Sequence, residues 1–132
     1  MNMPRATDRK TLVYIADSQL EQLQSIADRA AAPSGDLLRH ELERAIVLSE
    51  DDSPANFVRL NSTVEFTDLL SGRTRRLALV VPHEADLEEN RVSVAAPIGA
   101  ALLGLTPGQP FSWTAGDGRP HALVVVAVEA RS

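Results

Sequence analysis

The sequence predicts an α+β protein: a short N-terminal antiparallel helical hairpin, then a twisted, mostly antiparallel β-sheet carrying one short helix. Three observations lead there. From Leu20 to Ile46 apolar residues recur at helical spacing in two runs. After Ser49-Glu-Asp-Asp-Ser-Pro54 the apolar period changes to two. Finally, Arg91 to Trp113 reads as a compact strand, helix, strand unit punctuated at Pro97, Gly104 and Thr106-Pro107-Gly108. Most other apolar segments make sense as its partners.

In chain order, Met1 to Lys10 is polar and aperiodic and is expected to be a flexible terminus. Thr11-Leu-Val-Tyr-Ile15 is β-branched and aromatic, which predicts a short extended segment leading into a helix. Ser18 followed by Glu21 has capping-box spacing and predicts that the helix starts there. Leu20, Leu23, Ile26, Ala27 and Ala30 form its apolar face, and Ala31-Ala-Pro-Ser-Gly35 ends it. A second helix begins with Ser34 as cap and Asp36 in its first turn, where a carboxylate meets the positive end of the helix dipole. Leu37, Leu38, Leu42, Ala45 and Ile46 supply its apolar side. Each helix has about 13 residues, so the hairpin is on the order of 20 Å long. Helices this short leave apolar surface for the rest of the chain, or a partner, to cover.

The acidic, turn-rich segment 49–54 is read as a solvated linker between the helical hairpin, residues 11–48, and a sheet domain, residues 55–132. Val58, Leu60, Val64 and Phe66 alternate with polar residues. Leu70-Ser-Gly72 turns the chain, and Leu77, Leu79 and Val81 alternate on the return, which predicts an antiparallel hairpin. His83 to Asn90 is a polar connection. Ala115-Gly-Asp-Gly118 turns the chain into His121 to Glu129, apolar enough for a central strand buried on both faces. Within the unit from Arg91 to Trp113, Gly99, Ala100 and Ala101 allow close approach of the short helix. Leu102, Leu103 and Leu105 enter the core, and Gly104 ends the helix in the left-handed region.

Composition narrows the function. The 132 residues suit about one domain. With 44% hydrophobic and 23% charged residues they describe a soluble globular protein. The lack of cysteine removes disulfides, thiolate zinc sites and Cys nucleophiles, and permits the cytosol. A formal net charge of -5 argues against general or sequence-specific nucleic-acid binding, which relies on clustered Lys and Arg; a local basic patch stays open. No apolar run approaches the roughly 20 residues of a membrane span. Met1 to Lys10 lacks the apolar region of a secretory signal, so a cytoplasmic protein without membrane contact is expected.

Chemistry is sparse. His40, His83 and His121 lie far apart without carboxylates at metal-ligand spacing. Ser62, Ser71, Ser93 and Ser112 lack a nucleophile-elbow context, and no phosphate loop occurs, so no cofactor is expected. Asp28 and Asp36 flank the hairpin tip. Paired carboxylates hold Mg²⁺ when water or substrate completes the shell, but helix termini favour aspartates anyway, and structural capping is the preferred reading of both.

Val92-Ser-Val-Ala-Ala-Pro-Ile-Gly-Ala-Ala-Leu-Leu-Gly104, Pro107-Gly108 and Trp113, with Asn61 to Phe66 and Leu79-Val-Val-Pro82, resemble the Rnk proteins, regulators of nucleoside diphosphate kinase. More distantly they resemble the C-terminal domain of the Gre transcript-cleavage factors. Asp36 and Glu41-Leu-Glu-Arg-Ala45 also look like that family's second helix. The resemblance implies an FKBP-like sheet domain that docks at the rim of the secondary channel of bacterial RNA polymerase while the hairpin points inward. It implies rim contacts at Ala96, Pro97 and Ile98 and a hairpin tip at Asp28 and Asp36. Gre factors tend to have an acid where Ala95 stands, and they carry acids on a hairpin about twice as long. Metal ligands must come within about 2 Å of their ion, so a tip held back cannot substitute for a reaching one. The implied function is a non-enzymatic transcription regulator that occupies the channel without stimulating cleavage, in competition with Gre-type factors. The alternatives are a true cleavage factor, a regulator of nucleoside diphosphate kinase, and an FKBP-like prolyl isomerase.

Overall fold

A computed structural model describes residues 12–31, 34–49, 56–114 and 118–130. The expected flexible terminus at 1–10, all but the first residue of the linker 49–54, and the turn residues 115–117 lie outside the described residues.

Tyr14–Ala16 (β1) pairs in parallel with Ile46–Leu48 (β2), Tyr14 lying opposite Ile46. Parallel strands need a long crossover. The helical hairpin provides it, as Leu20–Arg29 (α1) and Ser34–Arg44 (α2). At 10 and 11 residues, the helices are about 15 and 16 Å long, shorter than the pattern predicts. Both ends of the prediction shift for physical reasons. The expected Ser18 capping box does not form, because β1 enters the helix through a 3₁₀ turn at Asp17–Gln19 and no side chain caps either turn. Gln19 reaches across the molecule instead. Its amide nitrogen donates to the Leu60 carbonyl at 3.2 Å and its amide oxygen accepts from the Leu60 N–H at 3.0 Å. At the other end, Ile46 is not on the apolar face of α2. Its N–H donates to the Val13 carbonyl at 2.8 Å, which draws the chain out of the helix into an exposed strand.

Five further strands follow: Ser62–Asp68 (β3), Thr74–Val80 (β4), Arg91–Ser93 (β5), Pro110–Thr114 (β6) and Pro120–Ala130 (β7). They form one sheet in the order β5-β4-β3-β7-β6. The pairs β3–β4, β3–β7 and β6–β7 are antiparallel. The edge pair β4–β5 is parallel, so the sheet is mixed. The cause is the connection after Val80, which returns through 3₁₀ turns at Pro82–Glu84 and Leu87–Glu89 to start β5 beside Ala78. The α+β class holds, with this added parallel character.

The strand β7, interior to the sheet between β3 and β6, is not buried on both faces. Leu123, Val125 and Val128 point inward, while Val126 is 49% exposed. The step from Val125 to Val128 is a β-bulge, where Phe66 pairs with Val125 but Glu65 pairs with Ala127. An apolar run therefore reflects one buried face and a half-covered outer face.

The short helix is Pro97–Leu102 (α3). One apolar core unites Leu23 and Ala27 of α1, Leu38 and Leu42 of α2, Leu102, Leu103 and Leu105 around the end of α3, and Val64, Phe66, Leu79 and Val125 of the sheet. The sheet thus covers what the short helices leave open. Gly104, at φ +83°, holds the centre. Its N–H donates to the Val58 carbonyl at 2.9 Å, its carbonyl accepts from Tyr14 at 3.2 Å, and Val58 N–H donates to Leu105 at 2.9 Å. A Cβ there would lie 2.5 Å from Val13 Cγ1, whereas Gly108, at φ +86°, has nothing within 4 Å.

This contrast gives a paired prediction. Gly108→Ala is expected to destabilise by about 1 kcal/mol, the cost of a left-handed alanine. Gly104→Ala adds overpacking against Val13 and should cost about 2–4 kcal/mol. Urea denaturation of both variants measures the difference.

Candidate partner-docking site

The turn before α3 is built by Ser93. Its hydroxyl accepts from the Ala95 N–H at 2.9 Å, and its carbonyl accepts from the Ala96 N–H at 3.0 Å. Pro97 then starts α3, where its missing N–H costs nothing, and the Ala100 N–H closes the first helical bond on Ala96 at 2.9 Å. Gly99 is required by this packing: a Cβ would sit 2.0 Å from the Ser93 carbonyl oxygen. The corner is therefore rigid. Pro97 is exposed, while Ala96 and Ile98 are half-buried and pack against the core. Of the three residues expected at a partner contact, one is exposed to solvent and two pack partly against the core.

Beside the corner runs an open groove of about 730 Å³. One wall is the outer face of α1, including Gln22, Ile26 and Arg29; the other is Val81, Pro82, His83 and Ala95. Ala95 therefore links the corner to the groove, a juxtaposition that the alternation of strands and helices does not reveal. An acid at this position would add a charge to the groove that His83 and Arg29 also line. Alanine adds none.

The groove reaches the hairpin end of α1 at Arg29 and Ala30, but neither tip acid lines it. Asp28 and Asp36 are both exposed. The Asp36 carboxylate accepts from the Arg39 guanidinium, whose other terminal nitrogen donates to the Ala27 carbonyl at 2.8 Å. Arg39 thus adds a second donor to the Ala27 carbonyl, which also accepts from the Ala30 N–H at 3.3 Å, and joins the two helices. Arg39 was not among the expected tip residues. Its i,i+3 spacing from Asp36 was the available signal, but the bond to Ala27 spans the turn. Among the described residues there is no cluster of three or more His, Asp or Glu side chains able to hold a metal ion. No helix among them is long and apolar enough to cross a membrane.

Comparison with known proteins gives a consistent picture. The profile of the C-terminal part of the transcription elongation factors GreA and GreB matches residues 53–130. The chain is 35% identical over 120 residues to the regulator of nucleoside diphosphate kinase of Escherichia coli (strain K12), covering 89% of this chain and 88% of that protein. It is 35% identical over 111 residues to the transcription inhibitor protein Gfh1 of Thermus thermophilus, covering 83% and 69% respectively. Among solved structures, a prokaryotic transcription elongation factor GreA/GreB from Nitrosomonas europaea superimposes with a TM-score of 0.72 at 32% identity, over 91% of this chain and 99% of that one.

The tip geometry makes a separable prediction. Arg39→Ala should destabilise by about 1 kcal/mol, because it removes the bond to the Ala27 carbonyl as well as the ion pair. Asp36→Ala should cost about half as much, since an exposed pair contributes little. Chemical denaturation of the two single variants and the double variant reads out both values and their coupling.

Proposed function

Since the chain belongs to the GreA/GreB family of transcription factors, we propose that it is a cytoplasmic, non-enzymatic regulator that binds bacterial RNA polymerase. In this reading the sheet domain, of FKBP-like form, docks at the rim of the secondary channel through the corner at Ala96, Pro97 and Ile98. The hairpin occupies the channel, does not stimulate transcript cleavage, and competes with Gre-type factors. The observation that carries the reading is the hairpin itself. Its helices have 10 and 11 residues, a reach of about 15 Å, and its Asp36 is held by Arg39. An acid engaged on its own helix, on a short arm, is poorly placed to complete the coordination of a distant catalytic Mg²⁺. The inhibitor role in the name of Gfh1 supports occupancy without cleavage.

Two measurements test this. Pro97→Asp places a charge on the exposed apolar corner and is expected to weaken binding to polymerase core by about tenfold, a typical anchor effect; wild-type affinity in this variant would sink the rim assignment. With backtracked elongation complexes, the protein should slow cleavage by a Gre factor and produce none alone. Cleavage that disappears in Asp36→Ala would show a true cleavage factor. The name of the Escherichia coli relative points to nucleoside diphosphate kinase, and a parallel pull-down with that kinase separates the two partners.

A further inference from the structure

The tip of the β3–β4 hairpin carries side chains that neither the core nor the groove uses. We propose that it is a second protein-docking surface, which takes an acidic patch with an apolar hollow on the polymerase, away from the contact at Pro97. This inference rests on the polymerase reading above.

Leu69 and Leu70 are 49% and 65% exposed. Single exposed leucines are ordinary, but two in succession at a turn, where polar residues prevail, are not. The backbone that presents them is fixed. Asp68 N–H donates to the Arg73 carbonyl and Gly72 N–H to the Asp68 carbonyl, both at 2.8 Å. The Asp68 carboxylate accepts from the N–H groups of Leu70 at 2.9 Å and Ser71 at 3.2 Å. Leu69 N–H donates to the Ala122 carbonyl at 2.8 Å, which ties the tip to β7. A surface ordered in advance loses little conformational freedom on docking.

Arginines flank the leucines. Arg73, Arg75 and Arg76 are all exposed. Arg76 is paired with Glu129 at 2.8 Å. Arg75 lies over the Phe66 ring at 5.8 Å, and neither it nor Arg73 meets an acid among the described residues. The Asp68 carboxylate, the nearest in sequence, is occupied by the turn's own N–H groups. In a chain of net charge -5 this is a cationic end. Apolar anchors beside arginines match the make-up of protein interfaces. A phosphate backbone would engage the arginines and leave the leucines in water, so a protein surface fits better. The partner must supply carboxylates for Arg73 and Arg75 and a hollow for Leu70.

Two variants test the proposal, Leu70→Ser with Arg73→Ser, and Arg73→Glu with Arg75→Glu. The altered side chains are exposed, and unchanged melting temperatures verify the fold. Labelled protein is titrated with polymerase core at low and raised salt. Each variant should bind about tenfold more weakly, and the double glutamate variant should show a flatter salt dependence than wild type. If both bind as wild type while Pro97→Asp loses binding, the tip proposal is overturned and the polymerase reading stands. If wild type itself fails to bind core, both fall. Two further outcomes overturn the proposal: binding of labelled RNA or duplex DNA that the variants lose, or self-association in sedimentation that they lose.

Discussion

The left-handed backbone at Gly104 is where three separate pieces of chain meet, and the fold depends on that meeting. Its carbonyl takes the N–H of Tyr14, from the strand before the hairpin, and its own N–H is given to Val58, from the chain that precedes the sheet. A side chain here would lie 2.5 Å from Val13 Cγ1 and 3.2 Å from the Tyr14 backbone, so this junction would have to shift to admit it. The glycine both ends α3 and lets the N-terminal strand lie against the segment between α3 and β6. Backbone bonds at this point are shielded by Leu102, Leu103 and Leu105, all fully buried, so water does not compete for them.

That junction explains how two short helices remain part of one core. The hairpin starts and ends in β1 and β2, which pair with each other, and β1 is in turn bonded to Gly104. Gln19 adds a second tie through both polar atoms of its amide to Leu60. A helix pair of this length is marginal on its own. Fastened at its base by backbone bonds and covered along one face by the core, it becomes a rigid arm with a set direction.

Much of this was legible in the sequence, and the losses share a cause. The change of apolar period located the helices and the β-hairpin, and the small residues at Gly99 to Ala101 announced a closely packed helix. Both signals are local. What the pattern missed were decisions made across the chain. Ser18 and Glu21 have the spacing of a cap, yet the pull of β1 toward β2 imposes a 3₁₀ turn. Ile46 continues a helical period but is claimed by Val13. Val126 lies in an unbroken apolar run, yet alternation after Val125 turns it outward, and the bulge opposite Glu65 and Phe66 brings Val128 back to the core. At the candidate site the corner residues were legible as a motif, whereas the groove required α1 and the chain after β4 to come together. Arg39 was hidden in the same way, since its partner Ala27 lies across a turn.

The corner and the hairpin then divide the work by physics. Pro97 sits on a corner whose backbone is held by Ser93 and whose helix cannot shift without closing on the Ser93 carbonyl. The hairpin is fixed to the same body through β1, Gln19 and the shared core. A partner that grips the corner therefore also sets where the hairpin points, without any conformational change in between. Occupying space demands only that this arm be stiff and correctly aimed. Metal chemistry would demand free ligand atoms placed to within a few tenths of an ångström, and the Asp36 carboxylate is already engaged with Arg39. In the function proposed above, a short, stiff arm whose tip acid serves its own fold would suit blocking, and its rigidity at the base would make that blocking effective.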